Sequence, residues 1–142
     1  MTSPLEIYQI VLYNDRLRID IKAHHESIAY TSKDLIAQVQ SIWPSILEHD
    51  CVNSLGSSFK SVAYYTPTAH LLEHMIIESQ ARAYAHDMSV KKRFFGSTHW
   101  LDKKIYLARV EVSYLHDVIA LKSISEALLF LNNFALRQQS CY

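Results

Sequence analysis

Leu17, Ile19 and Ile21 alternate with Arg18, Asp20 and Lys22, a period of two that predicts a half-buried strand over residues 17–23. Residues 5–13 are apolar and β-prone, and Asn14-Asp15 suits a turn, so the chain is expected to open with a hairpin. After Thr31 or Ser32, either of which can cap, the period lengthens to that of a helix carrying Leu35, Val39, Ile42, Trp43 and Ile46. Pro44 is expected to kink or split that helix near Trp43. Residues 50–65, with Gly56 and several serines, read as irregular. Thr66 as N-cap and Pro67 at the first helical position then start a second helix, expected to run to about His86.

Two strands follow, over residues 93–100 and 105–114, joined through Asp102; in the second, Val110 and Val112 alternate with Arg109 and Glu111. Asp117 caps a last helix with Ile119, Ala120, Ile124, Ala127, Leu128, Leu131 and Phe134 on one stripe. The order ββ-α-α-ββ-α predicts an α+β fold of two layers, with helices covering a mostly antiparallel sheet.

At 142 residues the chain is expected to form one domain, residues 1–142, large enough to bury a core. Fourteen basic and 14 acidic residues cancel, which removes long-range attraction to nucleic acid or an anionic membrane. The run Lys91-Lys92-Arg93 reads as a solvated strand entry. No secretory leader is recognisable after Met1, and no apolar stretch approaches the roughly 20 residues of a membrane span. Cys51 and Cys141 form neither a C-x-x-C pair nor a disulfide framework, so a reducing cytoplasm is the expected location. No phosphate-binding glycine motif is present, so nucleotide binding has no support.

Chemistry concentrates in the second helix. His70, Glu73 and His74 form H-x-x-E-H, the inverted zincin motif, and Glu78 follows one turn on. At 100° per residue these four side chains fall within an arc of roughly 140°, opposite Leu72, Met75, Ile76 and Ala83, which are expected to face the core. Imidazoles at i and i+4 can hold one zinc ion, and an adjacent glutamate can take a proton from water whose pKa the metal lowers. Glu78 is the nearest third ligand; Asp87, His86, His99, Glu111, His116 and Asp117 are alternatives that only the fold can bring close. The competing reading is a solvated helix face steadied by i,i+4 pairs. This composition gives roughly 0.02 chance matches to the five-residue motif, and its position at a helix start sharpens it further.

Other candidates are weaker. His24-His25 reads as an exposed turn; His99 beside Trp100 can line a pocket, with strand-end packing the favoured reading. Cys51 after His49-Asp50 suggests a Cys/His nucleophile pair, but without an orienting third group it reads as a structural thiol. Tyr64, Tyr65, Phe94 and Phe95 read as core and wall, since basic residues do not interleave with them as in a base-stacking platform.

The stretch S-I-L-E-H-D-C-V-N-S-L-G-S-S-F, then T-A-H-L-L-E-H-M-I-I-E-S-Q, resembles the N-terminal domain of cyanophycin synthetases. The likeness continues through Phe95-Gly96-Ser97-Thr98, Val110 to Tyr114, and the last helix at Leu131-Asn132. Full synthetases add an ATP-grasp module and a Mur-ligase-like module; neither fits in 142 residues, so the chain is expected to stand alone and not to make polymer. The resemblance implies a domain that holds the polymer and, in some members, a metallopeptidase-like site using His70, Glu73, His74 and Glu78. Departures occur at Thr66-Pro67 and Ala69, where the family has glycines, at Ser97 and His99, where it has arginines, and near Val62-Ala63, where it has Arg-Leu. The implied substrate is therefore a cyanophycin-like polymer. T-A-H-L-L-E-H-M is also similar to the motif of insulinase-type peptidases, but their third ligand lies further along than this chain extends.

The expectation is thus a zinc-dependent hydrolase of peptide or isopeptide bonds, with His70 and His74 as metal ligands, Glu73 as general base, and Glu78 as a third metal ligand or a carboxylate that orients a histidine. Its expected partner is a peptide-like or isopeptide polymer. The first alternative is a non-catalytic module that binds such a polymer or a partner enzyme. The second is an oligomerisation domain whose polar helix face makes a subunit contact.

Overall fold

A computed structural model of the chain describes residues 2–87, 89 and 93–140. Lys91, Lys92 and Cys141, and the readings made for them, lie outside the described residues. The opening alternation forms the expected hairpin: β1 (Leu5–Leu12) pairs antiparallel with β2 (Arg16–Ala23). β2 pairs in turn with β6 (Leu107–Ser113), and β6 with β5 (Gly96–Asp102), giving a four-stranded antiparallel sheet in the order β1-β2-β6-β5. Leu17 faces Val112, Ile19 faces Val110 and Ile21 faces Ala108, all buried on the covered side. On the other side the out-pointing positions pair by charge: Arg109 meets Asp20 at 2.8 Å, and Arg16 meets Glu111 at 2.6 Å. The fold is α+β, as the period changes predicted.

Helices cover one face. A single turn, α1 (Glu26–Ala29), precedes α2 (Lys33–Gln40), which Ser32 caps by accepting from the Leu35 amide at 3.2 Å. α2 stops at Gln40 and is not kinked at Trp43: Pro44 cannot continue the ladder, and the chain leaves through turns that leave Ile42 exposed and Trp43 buried. The segment expected to be irregular carries a small hairpin, β3 (Asp50–Asn53) with β4 (Gly56–Ser58), followed by a 3-10 turn over Phe59–Ser61.

The central helix is α3 (Thr68–Ala83). Its start is shifted from the expectation. Pro67 is the capping position and Thr66 is not a side-chain cap; Thr66 is instead locked to Thr31, whose hydroxyl accepts from the Thr66 amide at 2.9 Å. α3 ends at Ala83, before His86, and Ala83 is exposed, contrary to the core role expected of it. α4 (Asp117–Ser140) packs against α3 and β1, with Ala120, Ile124, Ala127, Leu131 and Phe134 buried as the stripe predicted. Over Asp117–Gln139 it is long and apolar enough to cross a membrane by length and composition, where the sequence reading found no such stretch. In the fold Asn132 uses its side chain to pair both backbone groups of Leu5, at 2.8 and 3.1 Å, fastening α4 to the edge of the sheet.

α3 is held from all sides. The sheet lies on one flank through β5 and β6, and α4 on another, with α1 and the 3-10 turn at Ile46–Glu48 completing the surround. Eleven of its sixteen residues are buried. Two polar side chains along it tie it to its neighbours: Gln80 donates to the Ser113 carbonyl at 3.0 Å, and Ser79 accepts from the Trp43 indole at 2.8 Å.

Candidate metal centre

The polar arc of α3 is not a solvated face. Glu73 is 4% exposed, His74 2% and Glu78 5%. It turns toward β5 and the β3–β4 hairpin, and a cleft of about 1360 Å³ opens between these elements. Cys51, His70, Glu73 and His74 line the cleft, along with Thr98 and Trp100 from the edge strand β5.

Three donors converge there. One ligand atom each from Cys51, His70 and His74 lies within 4.8 Å of the other two, and Cys51 Sγ is 3.4 Å from His70 Nε2. The group can hold a metal ion. The rings are fixed by packing, since the fully buried Phe59 lies edge-on to His70 at 5.1 Å and tilted against His74 at 4.2 Å. The Nδ1 of His70 is taken up by Thr66 Oγ1 at 2.9 Å, which leaves its Nε2 for the cleft. The Nδ1 of His74 is taken up by His49 Nδ1 at 3.1 Å. His74 Nε2 is buried with no hydrogen-bond partner. The nearest acid oxygen, Glu73 Oε2, is 3.6 Å away, beyond hydrogen-bond length.

Electrostatics suit these donors to a cation. Burial lowers His70 to about 4, and burial together with the neighbouring His70 and His49 lowers His74 to about 2. Both imidazoles are therefore neutral at pH 7, the form that ligates. Burial pushes the Cys51 thiol up, so a metal binding there would displace its proton. Burial also pushes Glu73 up to about 7, against the Thr98 hydroxyl, which donates to its Oε1 at 2.7 Å and favours the charged form. An orphaned buried nitrogen, a second neutral imidazole and a thiol form an N/S donor set of the kind zinc takes.

The structure brings His70, Glu73 and His74 together at the cleft, as the motif requires. Glu78 lies outside the three-donor group, with its Oε1 3.3 Å from His49 Nε2. Of the alternative ligands, Glu111 pairs with Arg16 and Asp117 receives the Val118 amide at the start of α4. His86 and Asp87 are exposed beyond the end of α3, and His116 sits beside Tyr84. His99 is an exposed residue lining the cleft and not strand-end packing. Phe95 and Tyr65 are largely exposed and not core, Phe95 at the cleft and Tyr65 stacked on Tyr30 at 4.9 Å.

Cys51, His49 and Thr98 were not identified as parts of the site from sequence. For the first two a signal existed: positions 49 and 51 stand at strand spacing in E-H-D-C, so both can address one neighbour. Thr98 offered none, because only the packing of β5 on α3 brings it to Glu73. No family model, no curated protein and no solved structure matches the chain.

Proposed function

We propose that this chain is a metal-dependent hydrolase of peptide or isopeptide bonds, in which Cys51, His70 and His74 hold a zinc ion and Glu73 moves the proton. The observation that carries the reading is the convergence of the Cys51 thiol with the His70 and His74 imidazoles, together with a buried Nε2 on the His74 ring that has no hydrogen-bond partner. An orphaned buried polar atom costs about 1–3 kcal/mol, and a cation at that point relieves the cost.

When bound, zinc in such a set supplies Lewis acidity and lowers the pKa of water to near 7. The remaining work falls to the chain. Cys51 as thiolate and the two imidazoles bind and orient. Thr98 holds Glu73 Oε1, so that Oε2 is free to take a proton from the attacking water. The water oxygen bonds to the substrate carbonyl carbon, the C–N bond breaks, and Glu73 returns the proton to the departing amine. A carboxyl placed near 7 by burial suits both halves of that exchange.

The cleft supports a chain-like substrate. Its wall is the edge strand β5, and Trp100, Phe94 and Phe95 give it apolar surface near the donors. The resemblance to the N-terminal domain of cyanophycin synthetases supports an isopeptide polymer of that kind, and Ser97 and His99 in place of the family's arginines distinguish this cleft from theirs. A ligand thiol must stay reduced, which supports a cytoplasmic location.

Metal analysis of the purified protein tests the reading. One equivalent of zinc, lost in His70→Ala and in His74→Ala, is expected. Glu73→Gln is expected to keep the metal and lose hydrolysis. Polymer binding with neither metal nor turnover would replace this reading with that of a non-catalytic binding module.

A further inference from the structure

Beside His74, at the wall of the cleft that His49 lines, is a second polar pair that the proposed chemistry does not use. His49 Nδ1 is 3.1 Å from His74 Nδ1, and His49 Nε2 is 3.3 Å from Glu78 Oε1. All three side chains are largely or fully withdrawn from water: His49 is 15% exposed, Glu78 6% and His74 3%. Both oxygens of Glu78 lack a well-directed hydrogen bond among the described residues, which leaves the His49 N–H as the group placed to satisfy it.

Resting on the metal site proposed above, we infer that Glu78, His49 and His74 form a one-way hydrogen-bond relay, in which His49 and Glu78 are positioning residues that fix the tautomer of a metal ligand. The polarity follows from the chemistry of imidazole. Two nitrogens 3.1 Å apart share one proton, so one is donor and the other acceptor. For His74 Nε2 to ligate it must carry a lone pair, so the proton of His74 is on Nδ1 and is donated to His49 Nδ1. His49 then accepts on Nδ1 and carries its own proton on Nε2, facing the Glu78 carboxylate. The opposite polarity would put the His74 proton on Nε2 and close that nitrogen to a metal. Glu78 thereby selects the ligating form of His74 from two residues away in the relay.

The sequence expectation for Glu78 was either a third ligand or a carboxylate orienting a histidine. The relay gives it the second role and makes His49 the intermediary. His70 has no such arrangement: its Nδ1 meets the Thr66 hydroxyl, which can donate or accept and imposes no tautomer.

Cobalt(II) titrated into the reduced, metal-free protein against a competing chelator tests the relay. One equivalent is expected to bind the wild type. His49→Ala is expected to bind one equivalent still, 10- to 100-fold more weakly, with His49→Gln recovering much of the loss because a carboxamide can accept from His74 and donate to Glu78. Glu78→Gln, which preserves shape, is expected to fall between wild type and His49→Ala. In proton NMR of the cobalt-loaded protein, the His74 Nδ1 proton is expected to be protected from solvent exchange in the wild type and to exchange rapidly in His49→Ala. A merely structural role for His49 would lower the unfolding midpoint of the metal-free protein and leave that proton protected. Unchanged affinity with a protected proton would overturn the relay and leave the metal site standing. Complete loss of cobalt from folded His49→Ala would make His49 a ligand and overturn it equally. No cobalt uptake by the wild type would overturn the site and the relay together.

Discussion

Thr98 reaches across from the edge strand β5 and donates a 2.7 Å hydrogen bond to Glu73 on the central helix α3. This contact joins the carboxylate of the motif to the wall of the cleft, and it orients one oxygen while leaving the other free. Thr98→Val keeps the side-chain shape and removes the donor. The hydrolysis barrier is expected to rise by about 1.5–3 kcal/mol, the range for a hydrogen bond to a charged group, while bound metal stays at one equivalent. Single-turnover rates alongside metal content check this, and a loss of metal in Thr98→Val would show that the contact serves folding and not the carboxylate.

Gly96 leaves no room for a side chain between β6 and α3. A Cβ there would stand 2.5 Å from the Glu111 carbonyl oxygen and 3.1 Å from Glu73 Cγ. The first neighbour is backbone and cannot give way. Gly96→Ala is therefore expected to push β5 from its place and destabilise by about 1–3 kcal/mol, with a loss of hydrolysis larger than in a variant of equal stability elsewhere. Urea unfolding paired with the rate measurement checks it.

Phe59 is fully buried and touches both motif histidine rings. Phe59→Ala is expected to cost about 3–5 kcal/mol by urea unfolding of the metal-free protein. Saturating metal is expected to restore part of that loss, because a ligand that binds only the folded chain stabilises it by mass action.

The Arg109 guanidinium holds the Asp20 carboxyl below its ordinary value of 3.8 by a paired hydrogen bond on the open face of the sheet. A depressed native pKa means the unfolded chain takes up the proton first, so the stabilisation is present above about pH 4 and is lost as pH falls through the native value. The stability difference between wild type and Asp20→Asn is expected to be largest at neutral pH and to shrink in acid. Urea midpoints at pH 7 and pH 3 check the sign.

Much of the frame was legible along the chain. The alternation of Leu17, Ile19 and Ile21 fixed β2, and the stripe from Ala120 to Phe134 fixed the buried side of α4, because each pattern reports a single covered face. α3 broke that logic. A helix packed against a sheet, α4 and the turns before β3, with eleven of sixteen residues buried, has little wet surface, so its polar arc signals a buried site that periodicity reads as solvent. The motif residues His70, Glu73 and His74 could be chosen because helical spacing is local. Cys51 reaches them only through the fold, which sets its Sγ 3.4 Å from His70 Nε2; the strand spacing of His49 and Cys51 says that they can share a neighbour and not which one.

The central claim is that Cys51, His70 and His74 form one metal centre, and cobalt(II) absorption reads the thiolate directly. Titration of the reduced, metal-free protein is expected to saturate at one equivalent with a near-ultraviolet sulfur-to-cobalt charge-transfer band and visible bands of tetrahedral intensity. Cys51→Ser is expected to lose the charge-transfer band and bind more weakly. Saturable binding whose spectrum is the same in wild type and Cys51→Ser, or no saturable binding at all, would contradict the account.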